Sequence, residues 1–124
     1  MVKILMVMLG GSLGAISRYG LSLLAVRLWG PAFPYGTLVA NMSGCFMIGL
    51  VFALAERSAL ISPQFRLFFV TGYIGALTTF STYALESVNT ARDGQNLLSL
   101  VNILANNLVG LALVFLGLWL GRLR

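Results

Sequence analysis

A chain of 124 residues that is 59% hydrophobic and 9% charged, with a mean hydropathy of +0.95, cannot keep a soluble surface, because about a quarter of the residues in an average soluble domain are charged. Its formal net charge of +5 comes from 8 Lys plus Arg against 3 Asp plus Glu. The basic residues stand singly near the ends of apolar runs, which argues for membrane-interface anchors and against nucleic acid as a partner.

The sequence has no histidine and one cysteine, Cys45, which excludes the commonest general base, an intrachain disulfide and a cysteine metal cluster. No phosphate-binding loop, Gly-x-Ser-x-Gly or paired-carboxylate pattern is present, so an enzyme is not expected. Lipid offers no partners to bare backbone, so the long apolar runs must become helices or a closed barrel. Their lengths select helices.

The first segment covers residues 4–28, interrupted by Ser12, Ser17, Arg18, Ser22 and Arg27. It is too long for a signal-peptide core and has no convincing cleavage site, so it reads as a mature first helix. It ends at Trp29-Gly30-Pro31-Ala32-Phe33-Pro34-Tyr35, where two prolines and a glycine mark a loop and three aromatics form an interface belt. The second segment, residues 36–55, is long enough to cross the hydrocarbon, and Asn41 is its strongly polar interior residue. Glu56-Arg57-Ser58 opens a polar loop that Ser62-Pro63 closes.

The third segment, residues 64–91, would reach roughly 40 Å as a straight helix against a hydrocarbon core of about 30 Å. Gly72, Gly75 and the run Thr78-Thr79-Phe80-Ser81-Thr82 predict an unwound turn midway. After Arg92-Asp93-Gly94-Gln95-Asn96 comes a fourth segment, residues 97–120, with Asn102, Asn106 and Asn107 inside it. Four crossings place both termini on one side, and the distribution of Lys3, Arg57, Arg66, Arg122 and Arg124 against Arg27 and Arg92 leans towards cytoplasmic termini. Gly10 and Gly14, Gly72 and Gly75, and Gly117 and Gly121 recur at intervals that let membrane helices approach closely.

Polar groups inside such segments carry the functional signal, since a charge near mid-bilayer costs at least about 2.5–3.5 kcal/mol. Arg18 either snorkels or lines a watery vestibule that would attract anions. Asn41 either donates to an anion or pins a neighbouring helix. Phe80 and Tyr83 share one helix face; such a pair either faces lipid or the core or, amid this dense hydroxyl patch, presents positive ring edges to an anion. Glu86 needs a hydroxyl, an arginine or water, or else marks a substrate or proton site.

Three runs together resemble the Fluc (CrcB) family of fluoride channels. They are Gly10-Gly11-x-x-Gly14-Ala15-x-x-Arg18-Tyr19, Gly36-Thr37-Leu38-x-x-Asn41-x-x-Gly44-x-Phe46, and Gly75-x-x-Thr78-Thr79-Phe80-Ser81-Thr82. The resemblance implies an all-α membrane protein of four transmembrane helices forming a single domain over residues 1–124, with the third helix broken near mid-membrane. It also implies an antiparallel, dual-topology homodimer with two fluoride pores in a bacterial inner membrane. A central sodium ion would be held by the backbone carbonyls of Gly75 and Thr78. Asn41 would donate to fluoride, Phe80 and Tyr83 would present ring edges, Ser81 and Thr82 would line the path, and Arg18 would face a vestibule.

The family commonly has Phe where this chain has Tyr83, and often Tyr and Ser along the fourth helix where this chain has Asn102 and Asn106. These two residues and Glu86 complete the expected pore lining.

A physical argument independent of the family points the same way. Fluoride is small and strongly hydrated, so a selective pore must replace its water with several close donors. Facing helix breaks in a self-associated pair would make a cation site. The main rival is a small multidrug-resistance-type, proton-coupled cation exporter, also of four helices. Its family places an acid in the first helix, where this chain has Arg18, so that reading would rest on Glu86. A non-conducting membrane assembly subunit would explain the glycines but not the hydroxyls clustered around Phe80.

Overall fold

The computed structural model describes residues 1–57, the Arg57 side chain excepted, and 61–123. Of the loop expected to open at Glu56-Arg57-Ser58, Glu56 and Arg57 still belong to the second helix, which runs to Arg57, while Ser58 and the charge of Arg124 lie outside the described residues. The described chain is helical, with no strand. Helix α1 is Val2–Trp29, α2 is Tyr35–Arg57, α3 covers residues 63–77, α4 is Phe80–Arg92, and α5 is Asn96–Arg122. Ser62 caps α3 by accepting from the Phe65 N–H at 3.1 Å, and Pro63, which has no N–H to satisfy, begins it. Gly30 ends α1 with φ of 77° and Gly94 turns the chain after α4 with φ of 78°, conformations that glycine adopts without steric cost.

Two stretches depart from the regular α-helix in a way that hydrophobic periodicity did not reveal. Leu67–Ile74 within α3 and Ala105–Val109 within α5 are π-helical. Each π turn adds a residue to the loop closed by a hydrogen bond and so rotates everything after it relative to an uninterrupted helix.

The buried positions mix apolar residues such as Ile74 and Leu77 with an unusual share of polar ones, and many large apolar side chains lie outside. Leu13, Leu23, Leu108 and Phe115 point outward, while the buried positions include Thr37, Asn41, Thr79, Ser87, Ser99 and Asn102. In lipid this is the favourable arrangement, since apolar side chains lose nothing by facing hydrocarbon and polar ones find partners only inside. Three described helices, Val2–Trp29, Tyr35–Glu56 and Asn96–Arg122, are long and apolar enough to cross a membrane, and the chain is a multi-pass membrane protein.

Small residues set the packing. Helix α1 lies on α3 because a Cβ at Gly10 would strike the Phe68 carbonyl and one at Gly14 the Tyr73 carbonyl. The C-terminal half of α5 lies on α2, with Gly49 against Val114 and Gly117 against Phe46. Gly72 belongs to the α1 contact, whereas Gly75 is exposed, so that pair does not act as one packing surface. At one end of the bundle Arg122 reaches Glu56 at 3.6 Å. At the other end Trp29, Phe33 and Tyr35 cluster, with ring centroids 5.5 and 4.9 Å apart along the chain of contacts.

Candidate functional site

Helix α3 ends at Leu77, and the next two residues leave the helical region: Thr78 has φ −82° and ψ 155°, and Thr79 has φ −153° and ψ 118°. In a continuous helix the N–H of Thr79 would bond the Gly75 carbonyl and that of Thr82 the Thr78 carbonyl. Here Thr79 N–H donates to Asn41 Oδ1 at 2.8 Å, and Thr82 N–H donates to the Thr79 hydroxyl at 3.2 Å. The carbonyls of Gly75 and Thr78 are therefore released from the helical ladder.

Asn41 holds the junction from α2. Its Oδ1 accepts from Thr79 N–H while its Nδ2 donates to the Thr79 carbonyl at 3.2 Å and to Asn106 Oδ1 at 2.8 Å. A side-chain amide thus pairs with both backbone groups of one residue, as a neighbouring strand would. Gly44, one turn along α2, lets the junction come this close, because a Cβ there would collide with the Thr78 methyl.

From Asn41 the hydrogen bonds continue in a single direction. Asn106 Nδ2 donates to Asn102 Oδ1 at 2.9 Å, Asn102 Nδ2 to Ser87 Oγ at 2.9 Å, and Ser87 Oγ to the Tyr83 carbonyl at 2.8 Å. Asn102 is 1% exposed, so this chain of amides and hydroxyls lies inside the protein and ties α2, α4 and α5 together. Bonds aligned donor to acceptor in this way polarise one another.

At the start of α4 the Thr79 hydroxyl caps the helix and also donates to Thr82 Oγ1 at 3.0 Å, with Ser81 Oγ at 3.4 Å. The open amides of this first turn favour negative charge beside them. Phe80 projects outward at 77% exposure while Tyr83 is 8% exposed, and their rings meet edge to face with centroids 5.4 Å apart. A groove of about 300 Å³ opens here, and Asn41, Thr78, Phe80, Tyr83, Asn106 and Asn107 contribute to its walls.

The structure therefore brings Asn41, Thr78, Phe80, Tyr83 and Asn106 to one groove, with Ser81 and Thr82 on the adjoining turn and Asn102 behind it. Gly75 lies exposed two residues before the helix end. Glu86 belongs to a different cavity of about 340 Å³ under the 30–34 loop and the start of α2, with Asn89, Thr90 and Asp93 in its wall. Its Oε1 accepts from the Thr37 hydroxyl at 2.7 Å, and its Oε2 is buried with no hydrogen-bond partner among the described residues. Arg18 is half-buried on α1 and lines neither cavity, though its carbonyl accepts from the hydroxyl of Ser22, which lines the second, at 3.0 Å. The expectation that Asn41 donates to an anion meets a geometry in which both of its N–H bonds are committed, to Thr79 and to Asn106.

The family of CrcB-like proteins, described also as Camphor Resistance (CrcB), matches residues 5–118. The chain belongs to the CrcB family. Among its CrcB relatives, a protein of Salinibacter ruber named fluoride-specific ion channel FluC is 51% identical, covering 94% of this chain and 87% of that protein. Proteins of the same name from Dehalococcoides mccartyi and Agrobacterium fabrum are each 44% identical. The first match covers 99% of this chain and 95% of that protein, and the second covers 98% of each. The cation-exporter reading weighed from Glu86 finds no support in these matches.

Sequence reasoning missed three parts of this CrcB site. Ser87 and Ser99 bind between α4 and α5, the Ser99 hydroxyl donating to the Ser87 carbonyl at 2.7 Å. Single serines in a run carry no mark of such a role. Asn107 donates to the Tyr83 hydroxyl at 2.9 Å, a contact reached from within the π-helical turn. Regular 3.6-residue spacing pairs Asn102 with Asn106 and turns Asn107 away.

Proposed function

We propose that two copies of this chain, inserted in opposite orientations in a bacterial inner membrane, form a passive fluoride channel with two pores through which fluoride leaves the cytoplasm. In this reading α3 and α4 are the two halves of one crossing, interrupted near mid-bilayer, and the assembly is not an enzyme. The observation that carries it is the groove at the start of α4, where an outward-facing Phe80, the edge-to-face Tyr83 and the capped, hydroxyl-rich first turn meet. The names of the relatives agree with it.

A single chain leaves the groove open to one side, and the exposed Phe80 ring is an odd surface to leave to lipid beside so many hydroxyls. A second, antiparallel copy would wall the groove, with membrane lipid around the outer apolar faces. Fluoride gives up its water only to several close donors. The hydroxyls of Ser81 and Thr82 and the ring edges of Phe80 and Tyr83 supply them, and the α4 N-terminus adds partial positive charge.

Asn41 acts chiefly by fixing the junction, and reaches fluoride by exchanging its bond to Asn106. Asn102 and Asn106 hold the neighbouring wall. Arg18 draws anions towards an entrance, and Glu86 stands in the path near the other end. The carbonyls of Gly75 and Thr78, freed from the helix, fit a sodium ion, which when bound supplies a fixed positive charge that favours anions nearby.

The deciding experiment is efflux from liposomes containing the purified protein. Rapid fluoride release with little chloride release under the same voltage is expected. A well-folded protein that releases no fluoride would sink the proposal.

A further inference from the structure

The hydroxyl of Tyr83 has a partner whose orientation is determined. Asn107 Nδ2 donates to the Ile103 carbonyl at 2.8 Å as well as to Tyr83 Oη at 2.9 Å. A carbonyl only accepts, so the nitrogen of the Asn107 amide must face this side, and the Tyr83 oxygen must be the acceptor. A phenolic proton lies in the plane of its ring and has two positions there. The incoming N–H of Asn107 occupies one of them, which leaves the proton the other.

Both side chains line the groove that Phe80 and Asn41 border. We propose that Tyr83 is a hydroxyl donor to the permeating anion in this chain, and that Asn107 is the positioning residue that turns the proton towards the groove. The inference rests on the channel reading above and deepens it. At this station the anion meets an O–H in addition to a ring edge, and an O–H donor to an anion makes a shorter and stronger bond than a neutral pair. The geometry also assigns a purpose to the π-helical turn Ala105–Val109, which carries Asn107 round to Tyr83.

The test uses near-ultraviolet difference spectra and liposome efflux with the intact protein, Tyr83→Phe, Asn107→Leu and the double variant. Fluoride is expected to shift the tyrosine spectrum of the wild-type protein and chloride not to. The shift should vanish in Tyr83→Phe, and half-saturation should require up to about tenfold more fluoride in Asn107→Leu, whose unheld hydroxyl forfeits part of one charge-assisted bond. Fluoride efflux from the double variant should match Tyr83→Phe alone, because Asn107 acts through the hydroxyl that this variant lacks. A fluoride-induced shift that persists in Tyr83→Phe overturns the proposal, as do effects on efflux that simply multiply. Tyr83→Phe keeps the ring and carries the test even where Asn107→Leu fails to fold. Wild-type protein that releases no fluoride overturns the channel reading itself, whereas release without any shift overturns only the role of the hydroxyl.

Discussion

Asn41 and Thr79 show how much one side chain decides. Replacing Asn41 with Leu removes the acceptor for Thr79 N–H and the donors for the Thr79 carbonyl and Asn106 Oδ1 at once. A buried polar group left without a partner costs about 1–3 kcal/mol, so Asn41→Leu is expected to lower unfolding stability in mixed detergent by at least about one such increment. The same variant should lose most fluoride efflux. Thr79→Ala removes the cap of α4 and should cost about 1 kcal/mol, while Thr79→Ser keeps the accepting oxygen and should cost less. Equal losses from both Thr79 variants in the same assay would show that the cap is not what stabilises the turn. Asn41 was legible as a polar residue in an apolar run, but its partners were not. Nothing in the spacing of Asn41 and Thr79 announces a contact between residues 38 apart.

At the scale of the helices, hydropathy located the apolar segments to within a few residues. Residues 4–28, 36–55 and 97–120 became Val2–Trp29, Tyr35–Arg57 and Asn96–Arg122. The reason is that lipid-facing side chains dominate those windows. The π-helical turns at Leu67–Ile74 and Ala105–Val109 escaped, because a local change of winding leaves composition untouched. Glycine spacing was informative where it met a neighbour and uninformative elsewhere. A methyl at Gly49 would strike the Val114 carbonyl, whereas one at Gly20 meets open space. Gly49→Ala is therefore expected to destabilise the protein by about 1–3 kcal/mol through overpacking. Gly20→Ala should be neutral or stabilising by up to about 1 kcal/mol from helix propensity. Detergent unfolding of the two variants side by side measures the contrast.

For the whole molecule, an apolar exterior around an interior that shelters Thr37, Asn41, Thr79, Ser87, Ser99 and Asn102 suits a bilayer, and the groove beside Phe80 is where the second copy proposed above would lie. The antiparallel arrangement has a direct check. A cysteine placed at the exposed Gln95, in a Cys45→Ala background, should be labelled by an impermeant reagent from both faces of the membrane in comparable amounts. Labelling from one face alone would rule that arrangement out. The Asn41 clamp is internal to one chain. The donor and acceptor that satisfy the buried amide and carbonyl of Thr79 come from the same polypeptide, so a single chain holds its interruption without help from another. In the antiparallel pair proposed above, association would then join surfaces already formed, and a lone subunit would keep its broken helix while it met a partner of opposite orientation.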